Sequence, residues 1–512
     1  MCSFCRSTLV RDGEALRRIG VSAELFDDHS PLQLGASGTR QGVAFTLVGR
    51  LQYGYEGGTW NEWHALFDNG PDGQRSAWLS EDNGAYVISF DAPLPADAPP
   101  LDGLQPGMRV LADGRAWDVA SVTRARLIAA QGELPAPPPL EREFTVVDLR
   151  NSAGDVATLD ASDPARLHWS VGRSVALSEL RLSGLKDSNE KTLGSRAIGC
   201  PNCGAALQVK LATTQSISCH QCQSVVDLSQ GVGAELRHYA QNNAGEQGAE
   251  PQIALGKSGT LALGGEPLPW QAVGYQERCD IPERSDDDGE GETTFWREYL
   301  LYNATAGFAF LVDSNEGWSW VRPITGAPVV RGDTAQWQGK NYKKRWDYAA
   351  RVTWVQGEFY WRVLQGETAQ VTDFEGQGSG SGGDASLRLS REKTAAEVTW
   401  SAGRTLSAAT VADAFGIAPG ARASLERDAA PISSKANGLP KVLGWFALVV
   451  GILLLVTFCG RDDCDNVKTT FGAASNEYRQ CQRSAGSGYR GSGGIGSGGG
   501  SYGGYSGGGG HK

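Results

Sequence analysis

Hydrophobic residues in this chain recur in short alternating runs rather than in long helical stripes. Fifteen Trp, fourteen Tyr and fifteen Phe residues stand among short β-branched runs, with 68 glycines spread between them. This pattern is typical of strands joined by tight turns. The amphipathic stretch from Asp12 to Ile19 is short. The sequence therefore predicts a mainly β protein built from two small antiparallel barrels or sandwiches.

One stretch breaks the alternation. Residues 442–458 read VLGWFALVVGILLLVTF and contain no charged residue. A helix on the surface of a soluble domain usually keeps a polar stripe, and this stretch has none. Its length lies at the short end of what spans a bilayer. We therefore expect a single transmembrane helix at residues 441–460, with the lipid bilayer as a partner.

The residues beside the predicted helix favour one orientation. Lys435 and Lys441 precede it, whereas two aspartates follow Arg461, so we expect the soluble domains on the cytoplasmic side of the inner membrane. Beyond the helix, Cys464 and Cys481 are predicted to form a disulfide in an oxidising compartment, and the alternative is two free thiols. The Gly-rich end of the chain has too little apolar surface to offset chain entropy, which predicts a disordered tail.

The second half of the chain repeats motifs of the first half in the same order. The matched runs are 34–39 with 255–260, 60–63 with 296–299, 78–84 with 310–317, 125–133 with 350–358, and 169–173 with 400–404. Their offsets lie between 221 and 236 residues, and such an ordered series is hard to obtain by chance. The sequence therefore predicts a duplicated domain of roughly 150 residues per copy.

Four cysteines between the two copies have the spacing of a zinc ribbon. They form two Cys-x-x-Cys pairs, Cys200 with Cys203 and Cys219 with Cys222. Strands at 207–211 and 216–218 are expected to pair as the hairpin that brings the cysteines together. Four thiolates leave no coordination position open for water. We therefore expect a structural zinc ion, Zn²⁺, rather than a catalytic one.

The N-terminal cysteines resemble the second half of this ribbon. Residues 2–7, CSFCRS, match residues 219–224, CHQCQS, at an offset of 217. In that register the two missing ligands would lie upstream of Met1. We therefore expect Cys2 and Cys5 to be a partial metal site in a truncated ribbon. The alternative is two surface thiols in a frayed terminal segment.

Charge and motif content restrict the possible functions. The chain has 58 acidic and 47 basic residues and a formal charge of −11, which repels phosphate backbones. Lys210 and His220 are the basic candidates within the ribbon. The sequence contains no nucleophile elbow, HExxH motif or phosphate-binding loop. We therefore expect a non-enzymatic protein with no nucleic-acid partner.

Two glutamates are the best candidates for a functional carboxylate. Glu62 lies between Trp60 and Trp63, and Glu298 follows Trp296 in the matching run. Aromatic rings beside a carboxylate suit a cationic small molecule, which they bind by ion pairing and cation–π contact. The alternative is a buried or turn-stabilising acid that both copies need for folding.

The repeat and the shifts in composition divide the chain into eight segments. They are a truncated ribbon half (1–20), a first β-rich domain (21–182), a linker (183–198), a zinc ribbon (199–230), a second β-rich domain (231–425), a linker (426–440), the transmembrane helix (441–460) and a Gly-rich tail (461–512). The complete ribbon thus lies between the two copies of the repeated domain.

Several of these motifs together resemble a bacterial family. Both copies carry Trp-x-Glu-(Trp/Tyr), Ala-Arg-x₄-Gln-Gly-Glu and Trp-Ser-x-Gly-Arg runs, and the chain ends in SGGGGHK. With the ribbon, these features resemble the family called domain of unknown function 4178. The resemblance implies tandem copies with no established activity. It also implies that genes of this family lie near genes for membrane-stress proteins of the phage-shock type and for polyamine-synthesis enzymes.

Two functional hypotheses follow from the sequence. The first is a membrane-anchored scaffold that presents two β-rich domains and the ribbon to membrane-associated proteins, in the setting of bacterial envelope stress. The alternative is a sensor that binds a cationic small molecule such as a polyamine, through Glu62 and Glu298 with the neighbouring Trp60 and Trp296.

Overall fold

The computed structural model describes residues 8–12, 15–20, 30–56, 58–68, 73–82, 85–136, 142–186, 196–211, 214–229, 236–241, 251–281, 293–304, 306–364, 366–377 and 386–425. The predicted transmembrane segment, 441–460, and Cys2, Cys5, Cys464 and Cys481 lie outside these residues. No helix within these ranges combines the length and apolar character needed to cross a bilayer.

The first repeat folds as a closed antiparallel barrel. A hairpin of β1 (Thr8–Asp12) and β2 (Ala15–Gly20) precedes it. The strands of the barrel sheet are β3 (Ser37–Arg40), β4 (Val43–Tyr55), β5 (Gly58–Phe67), β6 (Arg75–Asp82), β7 (Ala85–Ala92), β8 (Arg109–Ala112), β9 (Arg115–Gly132), β10 (Glu143–Arg150), β11 (Asp155–Asp163) and β12 (Arg166–Val175). Their order is β3-β4-β5-β6-β7-β12-β11-β10-β9-β8, and β4 also pairs with β9. That pairing closes eight strands into a ring.

The ribbon consists of short strands between the two barrels. They are β13 (Arg196–Gly199), β14 (Ala206–Val209), β15 (Ser216–Ser218), β16 (Val225–Asp227) and β17 (Arg237–Tyr239). β13 pairs with β14, and β15 pairs with β16. The predicted hairpin between 207–211 and 216–218 is therefore wrong. Each Cys-x-x-Cys turn instead joins the two strands that flank it, because those strands leave the turn antiparallel and adjacent.

The second repeat has the same architecture as the first. Its strands are β18 (Ser258–Leu261), β19 (Leu268–Ile281), β20 (Phe295–Asn303), β21 (Gly307–Ser314), β22 (Gly317–Ile324), β23 (Val329–Arg331), β24 (Thr334–Trp337), β25 (Lys340–Phe359), β26 (Thr368–Gly376), β27 (Leu387–Lys393) and β28 (Val398–Leu406). Pairing of β19 with β25 closes β19 to β22 and β25 to β28 into a second eight-stranded ring. Helices α1 (Ala408–Ala414) and α2 (Pro419–Arg422) follow.

The prediction of a mainly β protein with two related domains is confirmed. The closing strand pairs show that each domain is a barrel rather than a sandwich. Both closures use the same glycine crossing. Gly49 of β4 pairs with Gly132 of β9, and Gly274 of β19 pairs with Gly357 of β25. A Cβ on Gly132 would lie 2.1 Å from the Val48 carbonyl oxygen. Glycine is needed because the two backbones touch.

Side-chain contacts identify the barrel interior. Arg278 of β19 reaches Glu392 of β27, a strand that is not adjacent to β19 in the ring, so this contact passes through the inside. Trp296 lies opposite Arg278 in the strand pairing and therefore shares its face. The buried cluster that contains Trp296 also includes Leu211 and Val225 of the ribbon. The ribbon thus packs onto the core of the second barrel.

Candidate metal centre

The four predicted metal ligands lie in two turns with the same backbone hydrogen bonds. In the turn between β13 and β14, the Cys200 N–H donates to the Ala205 carbonyl and the Gly204 N–H donates to the Cys200 carbonyl, both at 2.8 Å. In the turn between β15 and β16, the Cys219 and Gln223 N–H groups make the equivalent bonds to Ser224 and Cys219, also at 2.8 Å. Each pair of thiols is therefore held by a rigid turn.

Each turn ends in a residue with a left-handed backbone. Gly204 has φ +76°, which glycine adopts without steric cost. Gln223 occupies the matching position with φ +60°, at a cost of about 1 kcal/mol for a residue with a side chain. The second turn is therefore held in a strained conformation by its surroundings, and its sequence lacks the glycine signal of the first.

The sulfur atoms form a compact cluster. Cys200 Sγ lies 3.7 Å from Cys222 Sγ, and Cys203 Sγ lies 3.7 Å from Cys219 Sγ. All four sulfurs lie within 4.8 Å of one another. Metal–sulfur bonds of about 2.3 Å in a tetrahedron require sulfur–sulfur distances of about 3.8 Å. The four residues therefore fit a tetrahedral thiolate-bound metal ion.

Nearby polar groups make the four thiols unequal. The Ser224 hydroxyl, followed by the Ser224 N–H and the Asn202 side chain, lowers the pKa of the Cys222 thiol to about 5. The Ala205 N–H donates a hydrogen bond to the Cys203 sulfur and lowers its pKa, but lost hydration and the neighbouring thiols together outweigh this effect and raise the pKa of Cys203 to about 12. A cation among the sulfurs would favour the thiolate form of all four.

A buried glutamate fixes the ribbon to the second barrel. Glu358, at the end of β25, is 6% exposed. Its carboxylate accepts hydrogen bonds from the Lys210 N–H at 3.0 Å, the Leu211 N–H at 2.8 Å and the Thr214 hydroxyl at 2.7 Å. Burial raises the pKa of Glu358, while these hydrogen bonds favour its charged form. This carboxylate therefore holds the segment between the two cysteine turns.

Backbone contacts extend the same interface. Ser216 and Ile217 of β15 pair with the last two residues of β25. The Ser218 hydroxyl accepts a hydrogen bond from the Gly357 N–H at 2.7 Å, and the Ser216 hydroxyl accepts one from the Val363 N–H at 2.9 Å. The ribbon therefore extends the barrel sheet by one added strand, and this pairing fixes its position on the barrel.

A cleft of about 680 Å³ lies between the ribbon and the second barrel. Lys210, His220 and Gln223 line it from the ribbon, and Trp354 and Gln356 line it from the barrel. The indole N–H of Trp354 is buried and has no hydrogen-bond partner within the part of the chain that the structure describes. The shape of this cleft depends on the docked position of the ribbon.

Comparison with known proteins places the chain in a family. The model of the domain of unknown function DUF4178 matches residues 33–177 and 266–408, which together make up more than half of the chain. The chain belongs to this family. Each match covers one barrel, so a DUF4178 domain in this protein is an eight-stranded antiparallel barrel with its flanking strands. The tandem arrangement expected from the internal repeat is confirmed.

Other comparisons add little to this assignment. No curated protein matches the chain significantly. Among solved structures, a protein of unknown function from the DUF3598 family of Nostoc punctiforme is 8% identical, with 73% of this chain and 96% of that chain covered. The TM-score of 0.12 is too low to support any conclusion about fold or function.

The two DUF4178 domains use the Gln-Gly-Glu motif differently. Glu133 in the first domain and Glu358 in the second follow the same glycine crossing, but Glu133 is exposed. The sequence comparison found this motif in both copies and gave it no role. The repeated run was a usable signal, because a motif shared by both copies marks a shared backbone feature even though, among the described residues, hydrogen-bond partners are seen for the Glu358 carboxylate alone.

Glu62 and Glu298 lie inside the barrels beside the predicted tryptophans. The Trp296 indole N–H donates to Glu298 at 2.7 Å, and the Trp60 indole N–H lies 3.4 Å from Glu62 Oε1. Residues two apart on a strand share a face, which explains the Trp-x-Glu spacing. Glu298 also accepts from Gln276 at 2.6 Å. These contacts favour the structural alternative, and ligand binding at either glutamate stays a prediction.

Sequence reasoning missed the arginine at the centre of the second barrel. Arg278 Nη1 lies 3.2 Å from Glu298 and 2.8 Å from Glu392, and all three side chains are almost fully buried. Burial raises the pKa of Glu392 to about 7, although Arg278 opposes this shift. In the first domain Tyr53 and Asp160 occupy the positions that match Arg278 and Glu392. Because the arginine is absent from the first copy, comparing the two copies does not reveal this ion pair.

A buried aspartate present in both domains was also missed. Asp148 accepts hydrogen bonds from Ser121 at 3.2 Å and Thr158 at 3.1 Å, and Asp373 accepts one from Tyr348 at 2.8 Å. Both aspartates are 0% exposed. Burial raises the pKa of Asp373 to about 8. Their common offset of 225 residues equals that of the Gln-Gly-Glu motif and would have identified them.

Proposed function

We propose that the protein is a membrane-anchored, non-enzymatic interaction protein that presents two barrels and a zinc ribbon to membrane-associated partners. The observation that carries the proposal is the rigid attachment of the cysteine ribbon to the second barrel through Glu358 and β15. A ribbon fixed in this way presents a defined surface. The uncharged stretch at 442–458 supplies the anchor.

Within this proposal the metal is a structural zinc ion. Cys200, Cys203, Cys219 and Cys222 would hold it, and four thiolate donors suit zinc better than hard cations. Bound zinc would supply the positive charge that joins the two cysteine turns. The ion has no role in a reaction, because a fully protein-ligated site has no position for a substrate.

Membrane fractionation of the full chain tests the anchor. We expect the chain to stay in the membrane pellet after alkaline carbonate extraction. Leu454→Arg places a charge in the middle of the apolar stretch and costs about 3 kcal/mol of insertion free energy, so this variant should shift to the supernatant. Recovery of the unmodified chain in the supernatant would contradict the proposal. Crosslinking in membranes then identifies the proteins that contact the barrels.

A polyamine sensor is the second candidate. It is supported by two buried carboxylates, Glu298 and Glu392, which share a single cation, the Arg278 guanidinium. Titration calorimetry with spermidine tests it on the full chain. Glu62→Gln and Glu298→Gln should abolish the heat of spermidine binding in protein that remains folded. Unchanged spermidine binding by the folded variants would instead support a purely structural role for both glutamates.

A further inference from the structure

We propose that the ribbon is a metal-dependent latch on the second barrel. Loss of zinc releases the ribbon from Glu358 and uncovers the barrel surface at residues 354–363, while both barrels stay folded. This inference rests on the zinc centre of the proposed function and adds a regulated surface to it. Zinc supply would then decide whether the ribbon covers that surface.

The ribbon has little to hold it together besides its cysteines. Its own buried cluster consists of Cys200, Leu207, Ile217, Cys219 and Val226, and two of these five residues are metal ligands. A core of this size is too small to fold a polypeptide segment without a metal or a disulfide. Metal loss should therefore disorder both cysteine turns.

The docking contacts lie between those two turns. Lys210, Leu211 and Thr214, the partners of Glu358, follow Cys203 and precede Cys219 in the chain. Because the two cysteine sulfurs lie 3.7 Å apart, a bound metal fixes both ends of this segment. Without the metal the segment gains conformational entropy that its hydrogen bonds to Glu358 must then overcome.

Release of the ribbon would uncover a defined surface. Leu211 and Val225 are 5% and 1% exposed, and they are buried in the barrel cluster with Phe359 and Trp361. Their removal would leave these aromatic rings facing solvent.

Within the described residues, the first barrel closes at the same glycine crossing with its glutamate exposed. Glu133 follows the same glycine crossing as Glu358, and its N–H donates to the Val48 carbonyl at 2.7 Å. Yet the Glu133 side chain is exposed. Barrel closure therefore needs no buried carboxylate at this position, so release of Glu358 is compatible with a folded second barrel. Access to the metal is also possible, because Cys203 is exposed.

Hydrogen exchange of the full chain, with and without a zinc chelator, tests the latch. We expect chelation to speed exchange at least about tenfold in residues 206–218 and 354–363, and to leave residues 125–134 of the first barrel unchanged. Glu358→Gln should speed exchange at Lys210, Leu211 and residues 354–363 while zinc stays bound and the cysteine turns stay protected. Glu133→Gln, the matched change at the exposed glutamate, should have no effect. If Glu358→Gln fails to fold, Thr214→Val removes one of the same hydrogen bonds.

The outcomes separate the latch from the zinc centre. Zinc at about one ion per chain with unchanged exchange after chelation would overturn the latch and leave the metal site intact. Absence of bound zinc would overturn both. Loss of protection throughout the second barrel would also overturn the latch, because it would show that the metal supports the whole domain. An effect of Glu133→Gln equal to that of Glu358→Gln would remove the assigned role of Glu358.

Discussion

Arg278→Met is the change that most directly tests the account of the second barrel. Methionine has a similar length and no charge, so the substitution leaves Glu298 and Glu392 buried without their cation. Arg278 is 1% exposed and lies within 3.2 Å of both carboxylates. Removing one partner of a buried ion pair costs about 3–5 kcal/mol. We expect a loss of this size in the free energy of unfolding at neutral pH.

Arg109→Met is the matched control. Arg109 pairs with Asp118 at 2.9 Å, but 49% of its side chain is exposed, so its loss should cost less than about 1 kcal/mol. Guanidinium unfolding followed by tryptophan fluorescence measures both variants. The Arg278 defect should also shrink on acidification, because the stranded carboxylates can then take up protons. Equal losses in the two variants would refute the assignment of a buried ion pair.

Three further predictions concern other parts of the structure. The folded protein keeps the proton of Asp373 up to about pH 8 while the unfolded chain releases it near pH 4, so stability falls by up to about 1.4 kcal/mol per pH unit between these values. Asp373→Asn should flatten this slope in urea unfolding measured at several pH values, and an unchanged slope would contradict the raised pKa. Gly357→Ala places a Cβ 2.3 Å from a backbone oxygen and should lower the melting temperature strongly. Gly256 has a similar φ with open space around it, so Gly256→Ala should lower the melting temperature far less. Equal shifts in the two variants would exclude crowding as the cause. Cys203→Ser should abolish bound zinc measured by mass spectrometry. The control Cys279→Ser changes a buried cysteine outside the cluster and should leave the zinc in place. Zinc retention by the Cys203 variant would disprove the four-cysteine site.

Local sequence spacing was sufficient to predict the cysteine cluster. Each Cys-x-x-Cys pair is brought together by a single turn, so the position of each thiol depends on a few adjacent backbone dihedrals. Cys200 and the other three ligands could therefore be identified among the cysteines of the chain without tertiary information. The hairpin between 207–211 and 216–218 was predicted wrongly, because both strands had several possible neighbours and alternation does not select among them.

The sequence by itself determined the β class, the duplication and the four cysteines, because alternation, repetition and short spacing are properties of neighbouring residues. Only the tertiary structure decided that the sheets close, that Arg278 meets Glu392, and that Glu358 is buried against the ribbon whereas Glu133 is exposed. These contacts join residues far apart in the chain, and barrel closure depends on strand pairing rather than on any local pattern. The same motif therefore has a buried, hydrogen-bonded carboxylate in the second domain and an exposed one in the first.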